Sequence, residues 1–214
     1  MTQVNVTLVL HSLVSRQLLE TLRCKNGEGQ HLDYHQARVE RSLTQLGVKT
    51  YYNLATLVSP PNNDLYRCRI AYDEKTIDIT YLPYTKRNIV TLQIVHANTL
   101  VYDLKYADRT SLNTLFEKRG KADDILIIQN GLVTDTTIAN IAFYDGKQWL
   151  TPTKPLLHGT TRARLIHEKK IIEAEIHAKE LANYLHFALM NAMIGFSEIK
   201  NGIILPLKGD NDVI

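Results

Sequence analysis

Two spacings of apolar residues alternate along this chain, every second position in some stretches and every third or fourth in others, which is the mark of a mixed α/β protein. VNVTLVLH at 4–11 alternates as a strand, and LETLRCKNGEGQHLD at 19–33 reads as two strands around an Asn26-Gly27 turn. Asp33 then precedes YHQARVERSLTQLG, with Gln36 three positions on as capping-box partner and Gly47 as the stop, which predicts a helix. LYRCRIAYD and KTIDITYLPY predict a second hairpin and NIVTLQIV a further strand, after which HANTL gives a soft boundary near residue 96.

In the second half, YDLKYADRTSLNTLFEKRG predicts a helix capped by Asp108 and ended by Gly120. DDILIIQNGLVTD carries Asn130-Gly131 between two apolar runs, the strongest short-range hairpin signal in the chain, and NIAFYDGKQWLTP predicts another hairpin through Asp145-Gly146. HGTTRARLIHEKK predicts a helix opening at Gly159-Thr160-Thr161, followed by a strand at IIEAEIH, a short helix at AKELANY and a strand at FALMNAM. The expected architecture is two α/β lobes, residues 1–95 and a larger 96–214, with mixed and mostly antiparallel sheets because hairpins dominate.

Composition changes this picture little. At 214 residues, 44% hydrophobic and 22% charged, the chain can bury a substantial core. The net charge is only +3, and the densest basic clusters, KRGK at 118–121 and HEKK at 167–170, fall near predicted helix ends, where cations favour the dipole. No nucleic-acid footprint follows. MTQVNVTLVLHSLVSRQ has no basic leader or small-residue cleavage site and no apolar run approaches membrane-spanning length, so a cytoplasmic protein with no membrane partner is expected. Cys24 and Cys68 lack CxxC spacing and are expected as reduced, partly buried thiols.

The chain has no GxxxxGK[ST] and no GxSxG, and GEGQHL lacks the third glycine of a dinucleotide loop. His31 and His35 have HxxxH spacing, but Asp33 as a helix cap would leave His31 outside the helix, so no metal site is expected. What remains is dispersed. Lys105 stands ahead of a helix start; on the helix after Asp33, Val39, Leu43 and Leu46 mark the buried stripe, with Arg38 at its border and Arg41 on the far side; Thr160 and Thr161 open a helix. Asp135 lies between two strand-like runs. Read by residue type alone, it either bonds the amides of Thr136 and Thr137 in a turn or meets something the chain does not supply.

KYADR at 105–109, DTTIAN at 135–140 and LTPTKPLLHGTTRARL at 150–165 together resemble the class-IV aminotransferase family of pyridoxal-phosphate enzymes, which includes branched-chain and D-amino-acid aminotransferases and aminodeoxychorismate lyase. ETLRC, HQARVERSL and LMNAM extend the likeness from about Glu20 to about Gly195. The resemblance implies a two-lobed fold type IV enzyme with pyridoxal 5'-phosphate between the lobes and Lys105 as the Schiff-base lysine. It also implies Asp135, in place of the family's glutamate, on the pyridine nitrogen, with Asn140 five residues on. A phosphate cup is implied from Arg38, Gly159, Thr160, Thr161, Asn191 and Ala192. Thr21 and Arg23 are implied on the substrate carboxylate, with an amino acid or keto acid as substrate and a homodimer as the assembly. Transamination is the expected reaction, with lyase-type elimination releasing pyruvate and a non-catalytic cofactor-binding protein as alternatives. The family's segment ahead of the ETLRC strand is shortened here, and 69–105 lacks an evident counterpart of its additional substrate-binding residues.

Overall fold

The structure is a computed structural model describing residues 17–49 and 51–206, so the strand expected at 4–11 lies outside the described residues. The chain runs β1 (Leu18–Lys25), β2 (Glu28–Gly29), α1 (Leu32–Gln45), α2 (Leu54–Leu57), β3 (Tyr66–Tyr72), β4 (Ile77–Pro83) and β5 (Thr91–His96). It continues through α3 (Thr110–Phe116), β6 (Asp124–Gln129), β7 (Leu132–Val133), β8 (Asn140–Tyr144), β9 (Trp149–Pro152), α4 (Thr160–His167), β10 (Ile172–Ala174), β11 (His186–Asn191), β12 (Gly195–Ile199) and β13 (Ile203–Leu205). Short 3-10 turns occupy Glu117–Arg119 and Ala178–Asn183, the second where a short helix was expected.

The first sheet is antiparallel in the order β2-β1-β3-β4. Asn26 and Gly27 both take positive φ, 57° and 76°, the backbone that a two-residue turn between right-twisted strands demands. One face of this sheet, with Leu22, Cys24, Cys68 and Ile70, packs on Val39 and Leu43 of α1. Both cysteines are free and buried there.

The other two sheets are mixed. β13-β5-β6-β7 joins β5 to β6 in parallel through a crossover containing α3, and β10-β9-β8-β11-β12 joins β9 to β10 in parallel through α4. β6, parallel to β5 and antiparallel to β7, is apolar on both faces over residues 125–128 because both faces are covered. Its Leu126 and Ile128 meet Ile141, Phe143 and Leu189 of the third sheet, while Ile125 and Ile127 meet Leu112 of α3. Helix α4 covers the outer face of the third sheet, with Leu165 against Ala142 and Met190.

The start of α1 corrects the sequence reading. The helix opens at Leu32 after His31, whose φ of 56° is left-handed and whose side chain makes no cap bond, so Asp33 lies within the first turn. Gln36 turns away from a capping box: its amide donates to the Tyr52 carbonyl and its oxygen accepts from the Leu54 N–H, tying α1 to α2. At α3 the expected acid does serve, with Asp108 accepting the Thr110 N–H and hydroxyl. No helix of the described residues is long and apolar enough to cross a membrane.

Candidate active site

A cavity of about 930 Å³ is lined by residues from β1 and α1 on one side and from 102–112, 135–140, 156–161 and 189–201 on the other. Lys105, Arg38, Asp135, Asn140, Gly159, Thr160, Thr161, Asn191, Ala192 and Thr21 all line it. Arg23 stands one step behind the lining, its Nη1 donating to the carbonyl of Met193 at 3.3 Å.

Backbone pairing sets Lys105 in place. Leu19 N–H donates to the Lys105 carbonyl and Ala107 N–H to that of Gln17, both at 2.8 Å, so the lysine lies along the start of β1 although far from it in sequence. Desolvation lowers its amine to about 7, with the charges of Arg38 and Arg109 acting in the same direction and Glu20 against them. Near neutral pH such an amine is available both as nucleophile and as proton carrier.

The periodicity of α1 buries His35, Arg38, Val39, Ser42 and Leu43 and leaves Arg41 exposed. Arg38 grips Glu20 of β1 with Nε to Oε1 at 2.7 Å and Nη2 to Oε2 at 2.6 Å, leaving Nη1 as the edge free for a ligand. His35 meets the same carboxylate at 2.6 Å. Burial lowers the His35 pKa and so favours the neutral ring, and a carboxylate only accepts, so Nδ1 is the protonated nitrogen. Burial alone would raise the Glu20 carboxyl, but Arg38 and the His35 bond hold it down at about 2. Glu20 was not foreseen as a site residue. Its signal was an acid at an inward position of an otherwise apolar strand face.

Asp135 is 4% exposed, and its partners differ from those of a turn acid. The amides of Thr136 and Thr137 do not reach its carboxylate. Oδ1 accepts from Asn140 Nδ2 at 2.7 Å and Oδ2 from the Leu157 N–H at 2.8 Å, which fix the carboxyl plane at the cavity wall. Burial raises its pKa to about 7, moderated by those two donors. The Asn140 amide nitrogen also donates to the Leu157 carbonyl, so both of its N–H groups are engaged and Asn140 orients the acid.

Gly159 is required for close approach to a protein side chain: a Cβ there would overlap Oδ1 of Asn140, while its φ of −69° suits any residue. Thr160 and Thr161, 7% and 6% exposed, begin α4 with their amides at its positive end, the setting in which a helix binds an anion. Asn191 departs from expectation. Its oxygen accepts from Met193 and Ile194 N–H and its amide donates to the Ile138 carbonyl, so the side chain ties its own turn. β11 ends at Asn191, which puts Ala192 in that turn and off the strand. Arg109, also unforeseen, donates to the Thr137 carbonyl at 2.7 Å, joining the lysine segment to the Asp135 turn.

The donor set suits pyridoxal phosphate: an amine near neutrality, a buried carboxyl for a ring N–H, and a guanidinium with helix amides for a phosphate. An uncharacterised protein of Haemophilus influenzae is 43% identical over 184 residues, 83% of this chain and 98% of its own. A solved structure from Haemophilus somnus, named provisionally as a 4-amino-4-deoxychorismate lyase, is 37% identical with a TM-score of 0.79, covering 85% of this chain and 98% of its own. An aminotransferase from Brucella abortus bound to the cofactor PLP shares the fold at 16% identity and a TM-score of 0.72, over 95% of this chain and 87% of its own. The amino-transferase class IV family model matches residues 75–201, and the chain belongs to that family.

Proposed function

We propose that this protein is a pyridoxal-phosphate-dependent enzyme in which Lys105 binds the cofactor's aldehyde and moves the proton of an amino substrate's α-carbon. The observation that carries the reading is an amine held at about 7 on the same cavity wall system as the buried, doubly bonded Asp135. Bound there, pyridoxal phosphate supplies an electron sink for charge developing at the substrate's α-carbon. Asp135 holds a proton at the ring nitrogen. Arg38 Nη1 and the amides of Thr160 and Thr161 hold the phosphate, with Gly159 letting Asn140 aim the acid. Lys105 takes and returns the α-proton.

Elimination and transamination share these steps and part afterwards. Transamination follows from the sequence reading; elimination is supported by the name of the Haemophilus somnus structure and by a fission yeast protein, named provisionally as an aminodeoxychorismate lyase, that is 33% identical over 91 residues. We favour elimination. Borohydride reduction of the cofactor-treated protein followed by peptide mapping tests the shared reading, with the label expected on Lys105; a label elsewhere defeats it. Assay for pyruvate against keto-acid exchange then separates the two reactions.

A further inference from the structure

Asp124, the first residue of β6, is wholly buried and stands behind the cavity wall, outside its lining. Burial raises the pKa of its carboxyl, against the pull of the Thr137 hydroxyl and nearby amides. Among the described residues its Oδ2 has no hydrogen-bond partner. A buried acid with an idle oxygen is costly to a fold. Its other oxygen holds Thr137: Oδ1 accepts the Thr137 hydroxyl at 2.7 Å beside the Ile125 N–H at 2.8 Å, and the Thr137 N–H also lies against the carboxyl.

Thr137 is the middle of the turn that begins at Asp135, and β6 fastens that turn twice. Ile127 N–H donates to the Asp135 carbonyl at 2.9 Å, and three residues upstream Asp124 takes the Thr137 hydroxyl. Thr136 closes the turn on itself, its N–H and hydroxyl both donating to the Ala139 carbonyl. The Thr137 carbonyl, aimed by these bonds, accepts Arg109 Nη2 at 2.7 Å. Arg109 stands four positions after Lys105, and its charge reaches the amine. Arg38 and His35 of α1 and Glu20 of β1 also face that amine, while Arg87 is the cation that reaches Asp124.

We propose that Asp124 is a positioning residue: through Thr137 it sets the turn carrying Asp135 and the Arg109 guanidinium together, so that the cavity's acid and its amine keep one fixed relation. This deepens the reading in which Lys105 and Asp135 serve one cofactor, and rests on it. The effect passes by contact. Without the hydroxyl bond the Thr137 carbonyl loses its aim and Arg109 its anchor; a cation then moves away from Lys105, whose amine keeps its proton to higher pH.

The Lys105 amine is titrated in the cofactor-free protein by trace acetylation with acetic anhydride and peptide mapping, from about pH 5 to about pH 10. Wild type should titrate at about 7. Thr137→Val, which keeps the carbonyl and exchanges only the hydroxyl for a methyl, should raise that midpoint by about one pH unit, roughly a tenfold loss of free amine at neutrality. Thr137→Ser should restore it. Asp124→Ala should give the same rise, and Asp124→Ala/Thr137→Val no more than either alone, as the two ends of one contact must. A merely structural contact lowers the melting temperature and leaves the midpoint in place; that outcome, or additive shifts, overturns the proposal. Borohydride labelling of the same samples with pyridoxal phosphate added keeps the two readings apart. A label on Lys105 with an unmoved midpoint sinks only the positioning role, and a moved midpoint without that label sinks only the lysine assignment.

Discussion

Arg38 and Glu20 meet edge to edge, two bonds of 2.7 Å and 2.6 Å, with the carboxylate wholly buried. Breaking such a pair on one side strands a charge, so Glu20→Gln should lower stability by about 3 kcal/mol in urea unfolding near neutral pH. The carboxyl is held at about 2, below its ordinary 4.5, so this stabilisation is complete above about 4.5 and is lost as pH falls through 2. The variant should lack that acid limb. An unchanged urea midpoint would mean Arg38 finds another counter-charge.

Lys105 titrates in the opposite sense. Its folded pKa of about 7 lies below the ordinary 10.5, so between those values the unfolded chain binds more protons and the cofactor-free protein gains stability as pH rises. Lys105→Met should therefore melt higher than wild type at about pH 6, and the advantage should fade towards about pH 10. A difference that does not change with pH would show that the amine is solvated like a surface lysine.

For Asp135 the window is reversed. The carboxyl rises from 3.8 to about 7, so the folded state binds the extra proton in between and the cofactor-free protein loses stability as pH rises through that range. Asp135→Asn removes the slope but leaves one of two donors, Asn140 Nδ2 or Leu157 N–H, without an acceptor. The variant's stability relative to wild type should move in its favour, by on the order of 2 kcal/mol, between about pH 4 and pH 7. Melting curves across that range decide it, and parallel curves would place the wild-type titration elsewhere.

Gly159→Ala should act through a neighbour. The new Cβ would displace the Asn140 side chain, freeing the acid to rotate. About 1–3 kcal/mol of stability should be lost, together with pyridoxal phosphate affinity measured by equilibrium dialysis. Retention of both would mean that Asn140 has a second workable rotamer.

How much of this was legible in the sequence depended on whether the cause was local. Asn26-Gly27 and Asn130-Gly131 announced their hairpins because the required positive φ belongs to those residues themselves. The inward turn of Arg38 followed from helical period alone. The cap at His31 did not, because Gln36 is drawn off by Tyr52 and Leu54, partners that only the fold brings near. Nor did the parallel pairing of β5 with β6 and β13, since a strand's sequence shows which side chains alternate but not its neighbour. The Asp135 motif gave a role by resemblance, whereas its actual donors, Asn140 and Leu157, include a backbone amide no motif encodes. Asp124 looks like an ordinary acid at a strand start until the fold brings the Thr137 hydroxyl to it.

The two backbone bonds between Leu19 and Lys105 and between Ala107 and Gln17 have a mechanical consequence. Val101, 75% exposed, is an inviting point for a protease in the connection ahead of the lysine. A cut there would sever the covalent route from β5 without unfastening Lys105, because the peptide on its far side remains sewn to the opening strand. The halves should co-migrate after such nicking and separate only in denaturant: the lysine's address is held by β1, and the linker merely carries the chain to it.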